Sequence, residues 1–424
     1  MTKILICTVG GSHQPIVSAI NDQCPDYVTF ICTGKDPATG RPGSSIQITG
    51  VGNCIKAGFG DDKPTLPNIP AQTGLSADRI DVCCTLSDDL DQIYLDCDNA
   101  ITDVLRRFPD ANIIADYTGG TKSMSAGLVM AALEHQDVTL QLVTGSRSDL
   151  IKVHDGSQYA VHANSEQIRF ERLIAPYRQA WSRYAYSEAE AGLRQLDAPR
   201  SHELRGQFSK FRDLSRAFAD WDNFNHQSAL TALQRYAPGL SANLKVYLAI
   251  ALRLNDQNPA KREAAQLFDL YLNARRRAAQ GRYDDAIARV YRLLEWTAQW
   301  LLKTQCNIET ANVDPTAIPE GMGLTKNRDG QYQAGLFVAW QLVNLKTTGE
   351  AASFIQREEK NLLNHLKIRN KSILAHGFEP VKDSDWQTIH AWVEQQFIPM
   401  LLAETAKIGI KELPAQLPSE LELR

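Results

Sequence analysis

The sequence lacks several patterns that would assign it to a common protein class. It has 424 residues and eight cysteines, but no Cys-x-x-Cys pair. Cys7, Cys32 and Cys83 lie within apolar runs, where a free cysteine behaves as a small buried hydrophobe. A disulfide framework and a bound metal are therefore not expected.

Long apolar runs and an excess of positive charge are also missing. No stretch of about eighteen apolar residues occurs, and the chain starts with a predicted strand rather than a signal peptide. We therefore expect a cytoplasmic protein that does not bind membranes. The formal net charge of −4 argues against coating of nucleic acid by bulk electrostatics, so RNA binding would need a local basic patch.

The densest basic cluster lies between residues 275 and 292. It could form such a patch, or it could be a solvated helix face balanced by Asp284 and Asp285. The sequence leaves both interpretations open. The cluster comprises Arg275, Arg276, Arg277, Arg282, Arg289 and Arg292.

The first 165 residues alternate between short β-branched runs and helical patterns. This alternation predicts a mainly parallel, doubly wound α/β sheet of the Rossmann type. Gly/Pro-rich stretches at 34–43 and 58–70 are interpreted as loops, and residues 151–153 and 159–161 as a closing hairpin. The predicted strands are residues 3–9, 27–33, 81–85, 112–117 and 138–143.

From about Glu166 to about residue 410, long amphipathic helical patterns replace the strands. We divide this part into a helical connector at 166–262, an all-α domain at 263–410 and a C-terminal tail at 411–424. Aromatic residues of the connector are interpreted as helix-packing rather than base-stacking. In the all-α domain, one or two helices are predicted at 264–303, and another at 353–375. Gly377 would end that last helix and place His376 in its final turn.

A glycine pair, Gly119-Gly120, follows the predicted fourth strand and opens a helix. Such a turn lets backbone N–H groups and the helix N-terminus face an anion, and Lys122 adds a positive charge. The loop is not a Walker A motif, because Thr121 rather than glycine precedes Lys122, and it is not Gly-x-Gly-x-x-Gly. ATP hydrolysis and nicotinamide-dependent oxidoreduction therefore lose their usual sequence support.

A second glycine pair, Gly10-Gly11, follows the first predicted strand. Both loops would lie at the carboxyl ends of strands, where open α/β sheets bind ligands at a switch in strand order. Two such loops side by side suggest a ligand with several phosphates. The alternative is that the glycines serve only tight turns.

The segment from Arg369 to His376 carries a third signal. On a continuous helix, residues seven positions apart lie on nearly the same face, two turns apart. An arginine can hold a phosphate through its planar fork, and a histidine can exchange a proton near neutral pH. Together they could cleave RNA without a metal, although Arg and His also occur on ordinary solvated helix faces.

These motifs together resemble the CARF-HEPN ribonucleases that accompany type III CRISPR systems. Thr8-Val9-Gly10-Gly11-Ser12 and the stretch Asp116-Tyr117-Thr118-Gly119-Gly120-Thr121-Lys122-Ser123-Met124 look like the two ligand loops of a CARF domain. Arg369-Asn370 to His376 looks like the HEPN Arg-x(4–6)-His motif. The resemblance makes 1–165 a CARF domain and 263–410 a HEPN nuclease domain.

The resemblance also implies the activity. We expect a homodimeric endoribonuclease of single-stranded RNA in antiviral defence, activated by cyclic tetra- or hexa-adenylate and needing no other cofactor. Whether the CARF domain also degrades its ligand stays open. The expected ligand-binding residues are Thr8, Gly10, Gly11, Ser12, Thr33, Thr118, Gly119, Gly120, Thr121 and Lys122.

Cleavage by attack of the ribose 2′-OH needs a base, an acid and stabilisation of negative charge. One chain offers one Arg/His pair in this segment, whereas two chains would supply two pairs in one cleft. We assign Arg369 to phosphate and transition-state binding, His376 to proton transfer or orientation of the 2′-OH, and Asn370 to polar positioning. His365, one turn before Arg369, could assist or be a surface histidine. The alternative function is a nucleotide-sensing regulator whose helical half binds a partner without cleavage.

Overall fold

The structure of the protein is a computed structural model. It describes residues 1–36, 40, 42–57, 63–145, 158–239, 242–319, 322, 324–374 and 377–423. The chain forms two compact units, Met1–Arg169 and Phe170–Arg424. The boundaries predicted at 262/263 and 410/411 lie within the second of these units.

In the described part of the first unit, six strands form one sheet in the order β5-β2-β1-β6-β7-β8. The elements of this unit are β1 (Lys3–Val9), α1 (Gln14–Gln23), β2 (Tyr27–Thr33), α2 (Ile46–Thr49), β3 (Asn53–Lys56), β4 (Pro64–Pro67), α3 (Ile69–Thr73), β5 (Ile80–Thr85), α4 (Leu90–Arg107), β6 (Asn112–Asp116), α5 (Lys122–Glu134), β7 (Val138–Thr144) and β8 (Tyr159–His162), with a 3₁₀ turn at Ala77–Arg79.

The predicted doubly wound α/β sheet is confirmed. The strands β5, β2, β1, β6 and β7 are mutually parallel. Alternate residues of β1 enter two different apolar clusters: Ile4 and Ile6 pack with residues of α4 and α5, whereas Leu5 and Cys7 pack with residues of α1. Burial on both faces explains why these strands read as continuous apolar runs in the sequence.

Two predicted loop regions of this unit contain regular structure. Within the predicted loop at 58–70, β4 pairs antiparallel with β3, and α3 begins at Ile69. Within the predicted hairpin, β8 pairs antiparallel with β7. The other half of that hairpin, residues 151–153, lies outside the described residues, as do 37–39, 41 and 58–62 of the predicted loops.

From Glu166 onward, the described residues are mainly helical, and β9 and β10 form a short antiparallel pair that the sequence analysis missed. The elements are α6 (Glu166–Ser182), α7 (Tyr186–Leu193), α8 (His202–Asp222), α9 (His226–Tyr236), α10 (Ala242–Leu254), α11 (Pro259–Ala279), α12 (Tyr283–Cys306), β9 (Thr325–Lys326), β10 (Tyr332–Gln333), α13 (Leu336–Lys346), α14 (Glu350–Lys371), α15 (Asp383–Trp392), a π-helix (Val393–Phe397) and α16 (Ile398–Ala406), with 3₁₀ turns at Ala237–Gly239 and Pro315–Ala317.

The connector aromatics pack in the core, as predicted. Trp181, Phe211 and Phe218 are fully buried in one apolar cluster. The rings of Trp181 and Phe218 meet edge to face, with their centroids 5.4 Å apart, a favourable arrangement for aromatic pairs. These rings are unavailable for stacking on bases, because the helices cover them.

Neither interpretation of the arginine cluster is right for Arg276 and Arg277, which are buried. Nε of Arg276 lies 2.7 Å from Oδ1 of Asp222, and Arg277 is paired with the other oxygen of the same carboxylate. Nη2 of Arg276 also lies 3.4 Å from Oδ1 of Asp269. We call Asp222, His226, Asp269, Arg276 and Arg277 the buried ion cluster. The sequence could not reveal it, because Asp222 is more than fifty positions before its arginine partners.

Candidate functional site

The two glycine pairs lie next to each other at the carboxyl ends of the central strands β1 and β6, as predicted. The parallel neighbours β1 and β6 are in register from Lys3 with Asn112 to Cys7 with Asp116, so the loops that follow them leave the sheet side by side. Strand order reverses at this point, since β2 flanks β1 on its other side. This is the switch point at which doubly wound sheets bind ligands.

The backbones of the two loops approach so closely that side chains cannot fit between them. A Cβ atom on Gly10 would lie 2.7 Å from the backbone nitrogen of Gly120, and one on Gly119 would overlap the carbonyl oxygen of Thr8. Gly120 also has a φ of +80°, which L-residues rarely adopt. Gly11 differs, because a Cβ atom there would have no neighbour within 4 Å among the described residues.

Several hydroxyl groups of the predicted ligand set hold the loops in place. Oγ1 of Thr8 donates to the carbonyl oxygen of Gly119 at 2.7 Å, and Oγ1 of Thr118 accepts from the backbone N–H of Val143 at 2.6 Å. Thr121 caps α5 by accepting from the backbone N–H of Met124 at 3.1 Å. Their hydroxyls therefore shape the site.

The predicted ligand residues also differ in how free their side chains are. Thr33 exchanges hydrogen bonds with Ser44, whose backbone N–H donates to Oγ1 of Thr33 at 2.8 Å. Ser12 and Lys122 are exposed, and within the described part of the chain neither side chain has a hydrogen-bond or ion-pair partner. Lys122 begins α5, where the helix N-terminus adds to its positive field. These two side chains are the ones available to an anionic ligand.

The structure adds support residues that the sequence analysis did not select. Asp116 is buried at the end of β6, and its carboxylate accepts hydrogen bonds from the backbone N–H of Thr118 and from Nε2 of Gln141, both at 2.9 Å. Burial raises the pKa of Asp116, while these hydrogen bonds oppose the rise. Gln47 donates to the carbonyl oxygen of Gly10. A polar residue inside an apolar strand, such as Gln141, was a signal that could have been read.

In the second unit, Arg369 lies in the last turn of α14. Its guanidinium carbon is 4.4 Å from the centre of the Tyr291 ring, a cation–π contact with α12. Nη1 of Arg369 donates to Oδ1 of Asn370 at 3.3 Å. Nε of Arg369 is buried and, among the described residues, has no hydrogen-bond partner. An unpaired buried donor of this kind is costly unless something else binds it.

His365 lies one turn before Arg369 and is half-buried rather than on the surface. Its ring centre is 4.7 Å from that of Trp392. Burial lowers the pKa of His365, against the opposing charge of Glu358. Nδ1 of His365 is also buried without a partner among the described residues. One face of α14 thus carries two unpaired nitrogen atoms a single turn apart.

The predicted helix over 353–375 is wrong at its C-terminal end. The helix stops at Lys371, and Ser372 is extended, with φ −75° and ψ 159°. Ile373 and Leu374 are 63% and 48% exposed, so they supply no apolar burial to hold a further turn. The helix that carries Arg369 therefore ends before it could place position 376 two turns further along it. Ala375 and His376 lie outside the described residues.

The described residues contain neither a metal-binding group nor a helix that could span a membrane. They contain no group of three His, Cys, Asp or Glu side chains arranged to hold a metal ion. No helix among them is both long and apolar enough to span a membrane.

Residues 255–398, which include the whole Arg369 to His376 segment, match a family model described as the Csm6 HEPN domain. A solved structure, Enterococcus italicus Csm6 bound to cyclic hexa-2′-fluoro-hexa-dAMP, aligns with a TM-score of 0.58 at 14% sequence identity. The alignment covers 96% of this chain and 95% of that chain. The chain therefore has the fold of that Csm6 structure, and the residues that match the HEPN model lie in its second unit.

A second solved structure, Can2 from Sulfobacillus thermosulfidooxidans in complex with cyclic tetra-adenylate, matches much more weakly. The TM-score is 0.24 at 16% identity, with 77% of this chain and 71% of that chain covered. No curated protein sequence matches the chain. The fold comparison therefore depends on the Csm6 structure and the HEPN family model.

The geometry of the glycine pairs gives a direct test of the loop packing. Gly119→Ala should destabilise the first unit by about 1–3 kcal/mol, because the new methyl group would overlap the backbone of Thr8. Thermal unfolding followed by circular dichroism measures the change. Gly11→Ala is the matched control, expected within about 0.5 kcal/mol of wild type, since its methyl group would lie in open space. Equal losses in both variants would contradict the close approach of the loops.

Proposed function

We propose that this protein is a cyclic oligoadenylate-activated, metal-independent endoribonuclease of type III CRISPR antiviral defence. In this proposal the CARF part binds the activator, and a HEPN site shared by two chains cleaves single-stranded RNA. The observation that carries it is the match of the Csm6 HEPN family model to residues that include Arg369, Asn370 and His376.

The geometry of α14 supports the position of the proposed active site. Arg369 is held against Tyr291, so its orientation is restrained before substrate binds. Its buried Nε and the nearby Nδ1 of His365 each lack a partner in the described part of the chain. An RNA phosphate or a residue of a second chain could satisfy both atoms. A guanidinium and an imidazole then provide charge stabilisation and proton transfer.

The CARF loops support the activator assignment. Lys122 and Ser12 are exposed at the switch point of the sheet, and Lys122 begins a helix of thirteen residues. In a homodimer, the two loops of each chain would face a ring of phosphodiesters. The Csm6 structure with the same fold holds a cyclic hexanucleotide analogue, which favours this ligand class.

The proposal predicts that single-stranded RNA is cleaved in the presence of EDTA and that cleavage rises when cyclic tetra- or hexa-adenylate is added. A titration of cleavage rate against rings of defined size measures activation and ring preference together. The products should carry 2′,3′-cyclic phosphate and 5′-hydroxyl ends, which mass spectrometry can identify. Ring binding without any cleavage would instead support a nucleotide-sensing regulator.

The same titration tests the sensor role of Lys122. Lys122→Ala should raise the ring concentration needed for half-maximal activation by roughly tenfold, as expected when one charged hydrogen bond to phosphate is lost. Cleavage without activator should stay at the wild-type rate, because Lys122 belongs to the CARF part. Lys63, an exposed lysine of the same unit, provides the control variant Lys63→Ala. Equal losses of basal and activated cleavage in Lys122→Ala would contradict a sensor role.

A further inference from the structure

The second unit contains a cavity of about 350 Å³ between α11, α12 and α15. This size lies at the lower end of the range for small-ligand sites in proteins. Trp386 and His390 form one wall, with ring centroids 5.1 Å apart and an interplanar angle of 27°. The ring of Tyr271 continues this stack, since its hydroxyl lies 3.2 Å from Nε2 of His390. These packed rings make that wall rigid, but Trp386 is only 5% exposed and Tyr271 is fully buried.

The polar groups at the cavity are mixed in character. Arg275 lies over the Tyr271 ring at 5.8 Å, and interaction with the Asp383 carboxylate raises the pKa of Tyr283. Nε2 of Gln387 donates to Oδ1 of Asp383 at 3.2 Å. Of the described residues that line the cavity, Arg275 is the one permanent cation and Asp383 the one carboxylate.

The charge balance indicates which chemical class this cavity suits. Burial lowers the pKa of His390, an effect that the charge of Glu394 opposes and that of Arg275 reinforces. Arg275 and Asp383 both line the cavity, and the charge of Glu394 also acts on His390, so the cavity does not concentrate positive charge for a phosphate. Aromatic surface combined with guanidinium, carboxylate and amide groups suits a nucleobase, whose face can stack and whose edge can donate and accept hydrogen bonds.

The cavity is also linked to the proposed active site through α12 and α15. Tyr283 lines the cavity. Tyr291, whose ring contacts Arg369, lies two turns further along α12, about 12 Å along the helix axis. On α15, His390 borders the cavity, whereas Trp392, two positions further and so on the other side of the helix, contacts His365. A π-helix follows immediately at Val393–Phe397, and such distortions are frequent at functional sites.

From these contacts, and given the proposed ribonuclease function, we infer that the cavity formed by Arg275, Tyr283, Asp383, Trp386, Gln387 and His390 binds one base of the RNA substrate outside the cleavage site. The half-exposed rings of Tyr283 and His390 hold the base, and Gln387, Asp383 and Arg275 select its identity. This subsite adds a sequence preference to cleavage at Arg369.

The test measures RNA binding separately from cleavage. Short fluorescent poly(A), poly(C), poly(G) and poly(U) fragments with 2′-O-methyl riboses cannot be cut by 2′-OH attack, so fluorescence anisotropy with the full-length protein reports binding alone. Wild type should prefer one base. Tyr283→Leu keeps apolar volume but removes the ring, and it should weaken binding of the preferred RNA by roughly tenfold. Gln387 is exposed, and Gln387→Ala should reduce the difference in affinity between RNAs of different bases.

Gln395→Ala is the matched control, because Gln395 is also exposed but does not line the cavity. Wild-type affinity and base preference in both cavity variants would overturn the inference. A change in the oligomeric state of either cavity variant on size-exclusion chromatography would also overturn it, since the cavity would then be an interface between copies of the chain.

Unmodified RNA, tested with the same proteins, separates this inference from the proposed function. If cleavage depends on Arg369 but neither cavity variant alters binding, the subsite is wrong and the nuclease proposal stands. If binding changes as expected but no RNA is cut, the subsite stands and the nuclease proposal is wrong. If no RNA binds, both are wrong.

Discussion

Arg369→Ala and His376→Ala should each reduce activated RNA cleavage by roughly a hundredfold to ten-thousandfold, the range that a positioned acid–base or charge-stabilising group contributes. Arg369 would neutralise the extra charge on the phosphorus oxygens as the 2′-OH attacks. His376 would move the proton or orient the attacking hydroxyl. Binding of the cyclic activator should be unchanged, because both residues lie outside the CARF part.

Single-turnover cleavage at saturating activator measures the chemical step in these variants. Arg369→Lys separates charge from geometry, since a lysine keeps the positive charge but cannot form the planar fork. It should recover little of the lost rate. Lys367→Ala is the control, because Lys367 is an exposed cation on the same helix. If Arg369→Ala cuts as fast as wild type, the active-site assignment is wrong.

Because Arg369 contacts Tyr291, Arg369→Ala could also lower the stability of the fold, and the experiment must exclude this cause. A thermal unfolding midpoint close to that of wild type, together with wild-type activator affinity, would assign the lost rate to the reaction itself. A protein that unfolds early would show reduced activator binding in the same preparation. The two readouts together identify the cause.

The sheet of the first unit could be predicted from sequence because its signals are local. β1, β2 and β6 are continuous apolar runs, and helical periodicity fills the segments between them. Each glycine pair directly follows one of these strands, so adjacency in the sheet required only the strand order of a doubly wound fold. The close approach of Gly10 and Gly120 could not be read from sequence, because it depends on how two loops pack.

The HEPN part was less predictable where tertiary contacts decide the structure. Helix α14 ends at Lys371 although the sequence pattern continues, since Ile373 and Leu374 remain exposed. Arg276 and Arg277 look like part of a surface cluster in the sequence, but both are buried and pair with the carboxylate of Asp222 on another helix. The support of Arg369 by Tyr291 joins positions 78 residues apart, and no local pattern signals such a contact.

The buried ion cluster carries the second large expected effect. The carboxylate of Asp222 accepts from Nε of Arg276 at 2.7 Å and from Nδ2 of Asn273 at 3.0 Å, and it also pairs with Arg277. Arg276 is fully buried, and its Nη1 donates to Oε1 of Gln416 at 2.7 Å. The cluster thus joins α8, α11 and the chain after α16.

Asp222→Ala should destabilise the second unit by about 3–5 kcal/mol, because it leaves buried Arg276 with Asp269 alone and buried Arg277 without an ion-pair partner among the described residues. Urea unfolding, followed by the helical circular dichroism signal, measures the loss. Asp220→Ala is the control on the same helix: Asp220 is half-buried and has no ion pair among the described residues. It should change the unfolding free energy by less than about 1 kcal/mol.

The double variant Asp222→Asn/Arg277→Met separates lost charge pairing from lost packing. It removes one positive charge together with the negative charge, and the asparagine can still accept a hydrogen bond from Arg276. Replacing buried ion pairs by neutral groups of similar volume is often tolerated, so this variant should recover part of the stability that Asp222→Ala loses. If Asp222→Ala unfolds at the wild-type urea concentration, the cluster does not stabilise the fold as its geometry requires.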